Sequence, residues 1–318
     1  MIHLLPIAPA PFSGEFTLHR AMDPTTGRVA ERYFLPKGWK ASDTVQWNPT
    51  NVQRPNRAFS TLTSPDGAMR IDLLPGETLP FQVKDGQLLG TLPPETATKA
   101  LDHVLSSQHP SVKNASLIFR KDFDVPTPFD SQEGLKTKGF VGILNVSFEE
   151  NGQPMTSLLT VTEFEGSHQE GEQTEGLTVM TQGYTLTCRG AMSNEAFKTF
   201  AIVIASYRPD PTYIATIMAV GQAAQKGGTP DVKRIAAGIK GLPEEAKPGY
   251  LQNLSIHRAS VGQIVPTTVY PGLTEVDTSE GSLMTFQGLH VWMRKPDAFL
   301  ISEGTEPPGA GWTEAKGS

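Results

Sequence analysis

The sequence predicts an α+β fold: an antiparallel twisted β-sheet flanked by helices, then a helical connector and a small β tail. Three observations predict it. Thirty Gly and 26 Pro in 318 residues favour many turns over long helices. Short β-prone runs recur between Pro, Gly, Asp and Asn punctuation. Three stretches instead carry apolar residues at helical spacing.

Residues 11 to 90 supply the first strands. Tyr33-Phe34-Leu35-Pro36-Lys37-Gly38-Trp39-Lys40, a second tryptophan run Val45-Gln46-Trp47, and Ser64-Pro65-Asp66-Gly67 before Met69–Leu74 read together as a β-meander. Pro93 and Pro94 then suit a helix start. Ala97, Ala100, Leu101, Val104 and Leu105 continue that helix over 93–108, until His109-Pro110 stops it. Ser116–Phe123, Gly139–Glu149, Met155–Phe164 and Leu177–Arg189 have the spacing of an antiparallel sheet, with Asn151-Gly152 as a hairpin turn.

A second flanking helix is expected over 193–207. Ser193 is its N-cap, Glu195 lies near the positive end, and Phe197, Phe200, Ala201 and Ile204 line one face directed at the sheet. Asp210 and Pro211 cap a further helix whose expected stripe is Ile214, Ile217, Met218 and Gly221. Gly227-Gly228, Gly241-Leu242-Pro243 and Pro248-Gly249 divide the chain from there to about residue 265 into short helices. From Pro266 the β character returns. The expected division is thus a main domain over 1–208, a connector over 209–265 and a tail over 266–318.

Composition narrows the function classes. A net charge of −6, without a Lys/Arg cluster, opposes binding to nucleic acid or acidic membranes. No run of about 18 apolar residues predicts a membrane span. The apolar start Met1–Ala10 is broken by Pro6 and Pro9 and lacks a positive leader, so the expected compartment is the cytoplasm, with an exported form left open. Cys188 is the one cysteine, which removes intramolecular disulfides and paired-thiolate zinc sites.

Candidate chemistry is sparse. Glu163, Glu165, His168, Glu170 and Glu172 fall in what reads as an acidic loop, 163–175, whose oxygen donors suit a hard divalent cation; the ligand order of a calcium loop is missing, and a solvated hairpin tip is the plainer reading. His103 and His109 stand six residues apart, off one helical face, and H-E-x-x-H does not occur. Cys188 shares a strand face with Tyr184 and Leu186, which argues for burial over reactivity. G-x-S-x-G, S-x-x-K and both phosphate-loop patterns are absent. Trp39, Trp47, His290, Trp292 and Trp312 are the candidate binding residues, because indole joins large contact area to a polar handle; sealing the sheet and docking the tail is the alternative use of the same rings.

Three segments resemble a group of uncharacterised bacterial proteins with a PsbP-like main domain, the fold of the extrinsic photosystem protein and of a yeast Ran-binding nuclear import factor. They are the P-x-G-W meander, the stretch Tyr184–Arg189 with Phe197–Pro211, and the tail Gly288-Leu289-His290-Val291-Trp292, Phe299-Leu300-Ile301-Ser302 and Gly311-Trp312. Pro and Gly breaks in the connector depart from that group's long polar helix. The resemblance implies an antiparallel sheet flanked by helices and roles in binding proteins. The expected function is a non-enzymatic binding or assembly module, without a cofactor, that engages a protein partner through its sheet face or C-terminal tail. The alternatives are a metal-assisted hydrolase built on 163–175 and a structural subunit of a homo-oligomer.

Overall fold

The structure, a computed structural model, describes residues 12–52, 54–85, 87–90, 113–125, 127, 135–239, 250–278, 281–294 and 297–316. The helix expected over 93–108, with His103 and His109, lies outside them, as does the apolar start Met1–Ala10.

The described fold is α+β and dominated by antiparallel sheets. Strands β1 (Ser13–Asp23) and β2 (Arg28–Pro36) form a hairpin, and β3 (Lys40–Trp47), β4 (Asn56–Thr63) and β5 (Met69–Leu74) come after it. Next are β6 (Glu77–Lys84), β7 (Gln87–Gly90), β8 (Lys113–Asp124), β9 (Leu135–Glu150), β10 (Gln153–Glu170) and β11 (Gln173–Arg189). Four described helices surround the short strand β12 (Arg208–Pro209): α1 (Asn194–Ser206), α2 (Pro211–Gln225), α3 (Val232–Gly238) and α4 (Tyr250–Ile264). The chain closes with β13 (Leu273–Thr278), β14 (Gly281–Phe286), β15 (His290–Arg294), β16 (Ala298–Ser302) and β17 (Thr313–Glu314).

Two large sheets result. One runs β3-β4-β5-β11-β10-β9-β8, with β6 also on β11, and the other runs β12-β2-β1-β16-β15-β17. The tail therefore adds strands to the N-terminal hairpin, with Phe16 opposite Phe299 and Gly14 opposite Ile301.

The expected meander breaks at its first turn. Lys37-Gly38 carries the chain from one sheet to the other, because Gly38 takes φ +82, a left-handed value that a side chain resists. β3 then pairs with β4 and not with β2. The Ser64–Gly67 turn does join β4 to β5, and Asn151 and Gly152, both at positive φ, close the β9–β10 hairpin as expected.

Helix α1 starts where the sequence places it: Ser193 Oγ accepts the Ala196 amide at 3.1 Å. Its expected single buried face is too modest, since every residue from Lys198 to Ser206 is buried. The helix lies between layers, packing on β2, β11, β14 and α4, and an apolar core joins it to both sheets through Phe34, Phe299, Leu62, Ile71 and Tyr184. Asp210 caps α2 by accepting the Thr212 and Tyr213 amides, but of the expected stripe only Gly221 is buried; Tyr213, Thr216, Val220 and Ala224 are buried with it, Ile214 and Ile217 are half-buried, and Met218 is exposed. The Tyr213 ring meets Trp47 edge-on at 5.8 Å, which sets that rotation.

The acidic segment is a second correction. Residues 163–170 and 173–175 continue the β10–β11 ladder, with His168 opposite Glu175, and the turn is confined to Gly171-Glu172. Charge density suggests a loop in the sequence, whereas cross-strand pairing carries these residues in extended backbone.

Candidate functional site

A cleft of about 550 Å³ opens where the two sheets meet the N-terminus of α1. Phe12, Phe16, Pro36, Trp39, Met69 and Leu300 supply its apolar walls; Glu15, Lys37, Ser193, Glu195 and Thr199 supply polar groups. The local sequence explains the shape. Trp39 follows the left-handed Gly38, and its amide donates to the Pro36 carbonyl at 3.0 Å, which holds the indole beside the sheet end. Lys37 Nζ pairs with Glu15 Oε2 at 2.5 Å on the same rim. The walls are thus about equally apolar and polar, and a concave site that joins apolar surface to convergent polar groups is the form of a binding site.

A polar seam lies beneath β3, whose alternate residues Ala41, Asp43, Val45 and Trp47 are half-buried. Asp43 is its hub: it accepts from Tyr33 OH at 2.9 Å and Ser60 Oγ at 2.7 Å and meets His19 Nε2 at 2.7 Å. Burial alone would raise the Asp43 carboxyl; the His19 and Ser60 hydrogen bonds, the His19 charge and the Tyr33 bond together hold it below its ordinary value. Glu31 sits further in and accepts from Tyr207 OH at 2.6 Å. Burial pushes its carboxyl up to about 7, against the Tyr207 bond and with help from the Asp43 charge. His257 is sealed between Tyr184 OH and the Ala205 carbonyl, and burial first, then the Arg208 charge, holds it down to about 3 despite that carbonyl. The neutral ring is consistent with Nε2–H donating to Ala205 and Nδ1 accepting from Tyr184.

The candidate binding residues fall on three separate surfaces. Trp39 lines the cleft. Trp47 belongs to the seam, where its Nε1 donates to Asp23 Oδ2 at 2.9 Å. His290, Trp292 and Trp312 gather at the β15–β17 edge: His290 Nδ1 meets Glu314 Oε1 at 2.5 Å, the imidazole stacks on Trp292 at 6.3 Å, and the Arg294 guanidinium lies 4.9 Å from the Trp312 centroid. Trp292 itself is buried, and its Nε1 has no partner among the described residues.

The metal candidates are not gathered. Glu163 and Glu165 share one face of β10 and His168 takes the other, as strand alternation requires. Among the described residues no three His, Cys, Asp or Glu side chains stand close enough to hold a metal ion. Glu163 is buried with both oxygens unpartnered among those residues, and burial, then the Glu165 and Asp122 charges, pushes it up to about 8. Cys188 is buried as expected, and burial pushes its thiol up to about 11. In the seam, Ser60 donates to Asp43 and not to His19, so hydroxyl and imidazole lack the hydrogen bond that an activated nucleophile needs.

Sequence reasoning missed His19, Glu31, Tyr33, Asp43 and Ser60 as a group, and Phe12, Met69 and Ser193 as cleft walls. One signal was present: Lys40–Gln46 carries Val45 as its one large apolar residue, odd for a strand laid over others. The pairings themselves span 10 to 24 residues and two sheets, which no local pattern reveals.

No family model matches the chain, and no curated protein matches it. Among solved structures, the chain is similar to the cyanobacterial PsbP protein of Synechocystis sp. PCC 6803, at 12% identity over 61% of this chain and 93% of that one, with a TM-score of 0.23. It is also similar to a protein of unknown function from Pseudomonas aeruginosa, at 11% identity over 53% of this chain and 83% of that one, with a TM-score of 0.17.

Proposed function

We propose that this protein is a non-enzymatic binding module, and that it engages a protein partner by taking an apolar side chain into the cleft beside Trp39. The cleft carries the reading: aromatic and aliphatic side chains form about half of its walls, polar groups including Lys37, Glu15 and Glu195 form the rest, and its groups come from both sheets and α1. An aromatic anchor in a concave, apolar site is the usual core of a protein contact. The titratable groups away from the cleft support it further, since His257, Glu31 and Cys188 are buried in packing and hydrogen bonds. In this proposal residues 1–208 form the binding domain and 209–265 a connector, and the tail over 266–318 lends Leu300 to the cleft wall and presents His290 and Trp312, with Trp292 buried behind the His290 ring, as a second contact strip. The PsbP-like sequence resemblance points the same way. Among the described residues no helix is long and apolar enough to cross a membrane.

The test compares capture by the wild type with capture by Trp39→Ala, then applies chemical cross-linking to locate the contact. The reading expects a protein that cross-links at Lys37 and is lost with Trp39→Ala, while the thermal midpoint stays within a few degrees. Equal capture by both forms, or cross-links only far from the cleft, would contradict it.

A further inference from the structure

Strand β8 ends the nine-stranded sheet and, among the described residues, pairs with β9 alone. It is twelve residues long, whereas the six-stranded sheet ends in the two-residue strands β12 and β17. Leu117 and Ile118 are 58% and 56% exposed, the most exposed of the large apolar side chains described. A long edge carrying exposed apolar groups is a template for another strand. After register shifts between Lys113 and Ser116 and between Leu117 and Phe119, the ladder from Phe119 to Asp124 runs regularly, which leaves an edge without bulges over those residues.

That stretch is complementary to itself. Phe119-Arg120-Lys121-Asp122-Phe123, laid antiparallel on a second copy about Lys121, sets Phe119 opposite Phe123 twice and Arg120 opposite Asp122 twice. Aromatic pairs and opposite charges directly across strands are the favourable combinations. Pairing about one residue also matches positions of equal parity, so the alternation of outward amides and carbonyls is met. The one like-charge meeting, Lys121 on Lys121, is softened because each ammonium lies 4.2 Å from the centroid of its own Phe123 ring. Registers centred on Arg120 or Asp122 place those like charges on the axis without the aromatic pairs.

We propose that β8 is a self-association edge: two copies join β8 to β8 about a two-fold axis at Lys121, making one sheet continuous across the dimer. The contact is isologous, so it closes at two copies. It is independent of the cleft.

Sedimentation velocity over a wide concentration range tests it. The wild type is expected at twice the chain mass, Arg120→Asp is expected to weaken the dimer by tenfold or more, and Arg120→Asp with Asp122→Arg is expected to restore it. Near-ultraviolet circular dichroism establishes that each variant is folded, and Asp122→Arg, which sets an arginine opposite Arg120 at both pairs, is a second disrupting change should Arg120→Asp fail to fold. A wild type that is monomeric throughout, including one that accepts a partner's strand on this edge, would overturn the proposal. So would a dimer unmoved by both disrupting changes, or a folded double variant that remains monomeric.

Discussion

At the residue scale the seam and the sheet each bury a carboxyl that holds its proton more tightly than it would in water. Glu31 and Glu163 are both raised by burial, so each folded form keeps its proton above the unfolded value of about 4.5. Their favourable contribution is complete below pH 4.5 and is lost as pH rises, through about 7 for Glu31 and about 8 for Glu163. Glu31→Gln and Glu163→Gln are therefore expected to be more stable than the wild type at pH 9, by about 3 kcal/mol for Glu31 and about 5 kcal/mol for Glu163, and near equal to it at pH 4.5. Denaturant melts of the three proteins across that range check this; parallel pH profiles would contradict it. Asp43→Ala should act oppositely, because Tyr33 and Ser60 would lose a buried acceptor. A loss of about 2 kcal/mol in the same melts is expected. The burial of Cys188 was legible at this scale because period-two alternation needs nothing beyond the strand. The Asp43 hub was not, since its partners come from three other strands.

At the element scale, ends were easier to read than faces. Ser193, Asp210 and Pro211 act as local capping chemistry predicts, and Asn151-Gly152 turns as its φ values require. Ser193→Ala should cost about 1 kcal/mol through the lost Ala196 hydrogen bond, measured by thermal denaturation. The burial of α1 on all sides exceeds the one apolar face its sequence suggests, because sequence shows which residues are apolar but not how many layers cover them. The same limit hid the sheet exchange at Gly38. Gly38→Ala places a Cβ at φ +82 and should cost about 1 kcal/mol, with the larger share appearing as faster unfolding if the turn forms late.

At the scale of the whole molecule, the N-terminal hairpin and the tail share one sheet. Phe34 meets Phe299 at 4.9 Å, and Glu303 accepts from Lys198 and from the Phe12 amide, so the tail binds the first strand and α1 together. Removing residues 266–318 should strip β1 of β16, expose Phe16 and Phe34, and abolish the cooperative thermal transition, as monitored by near-ultraviolet circular dichroism. The α+β class and the β character of the tail were readable from turn spacing; the closure of tail on hairpin was not, because most of the sequence separates Phe16 from Phe299. That closure also makes the cleft, whose walls draw on Phe12, Trp39, Ala196 and Leu300 at once. Hydrogen–deuterium exchange on the partner-bound protein tests the binding account most directly. It predicts slowed exchange in Phe12–Phe16, Pro36–Trp39 and Ser193–Thr199 relative to the protein alone. Unchanged exchange in all three segments, with protection confined elsewhere, would contradict it.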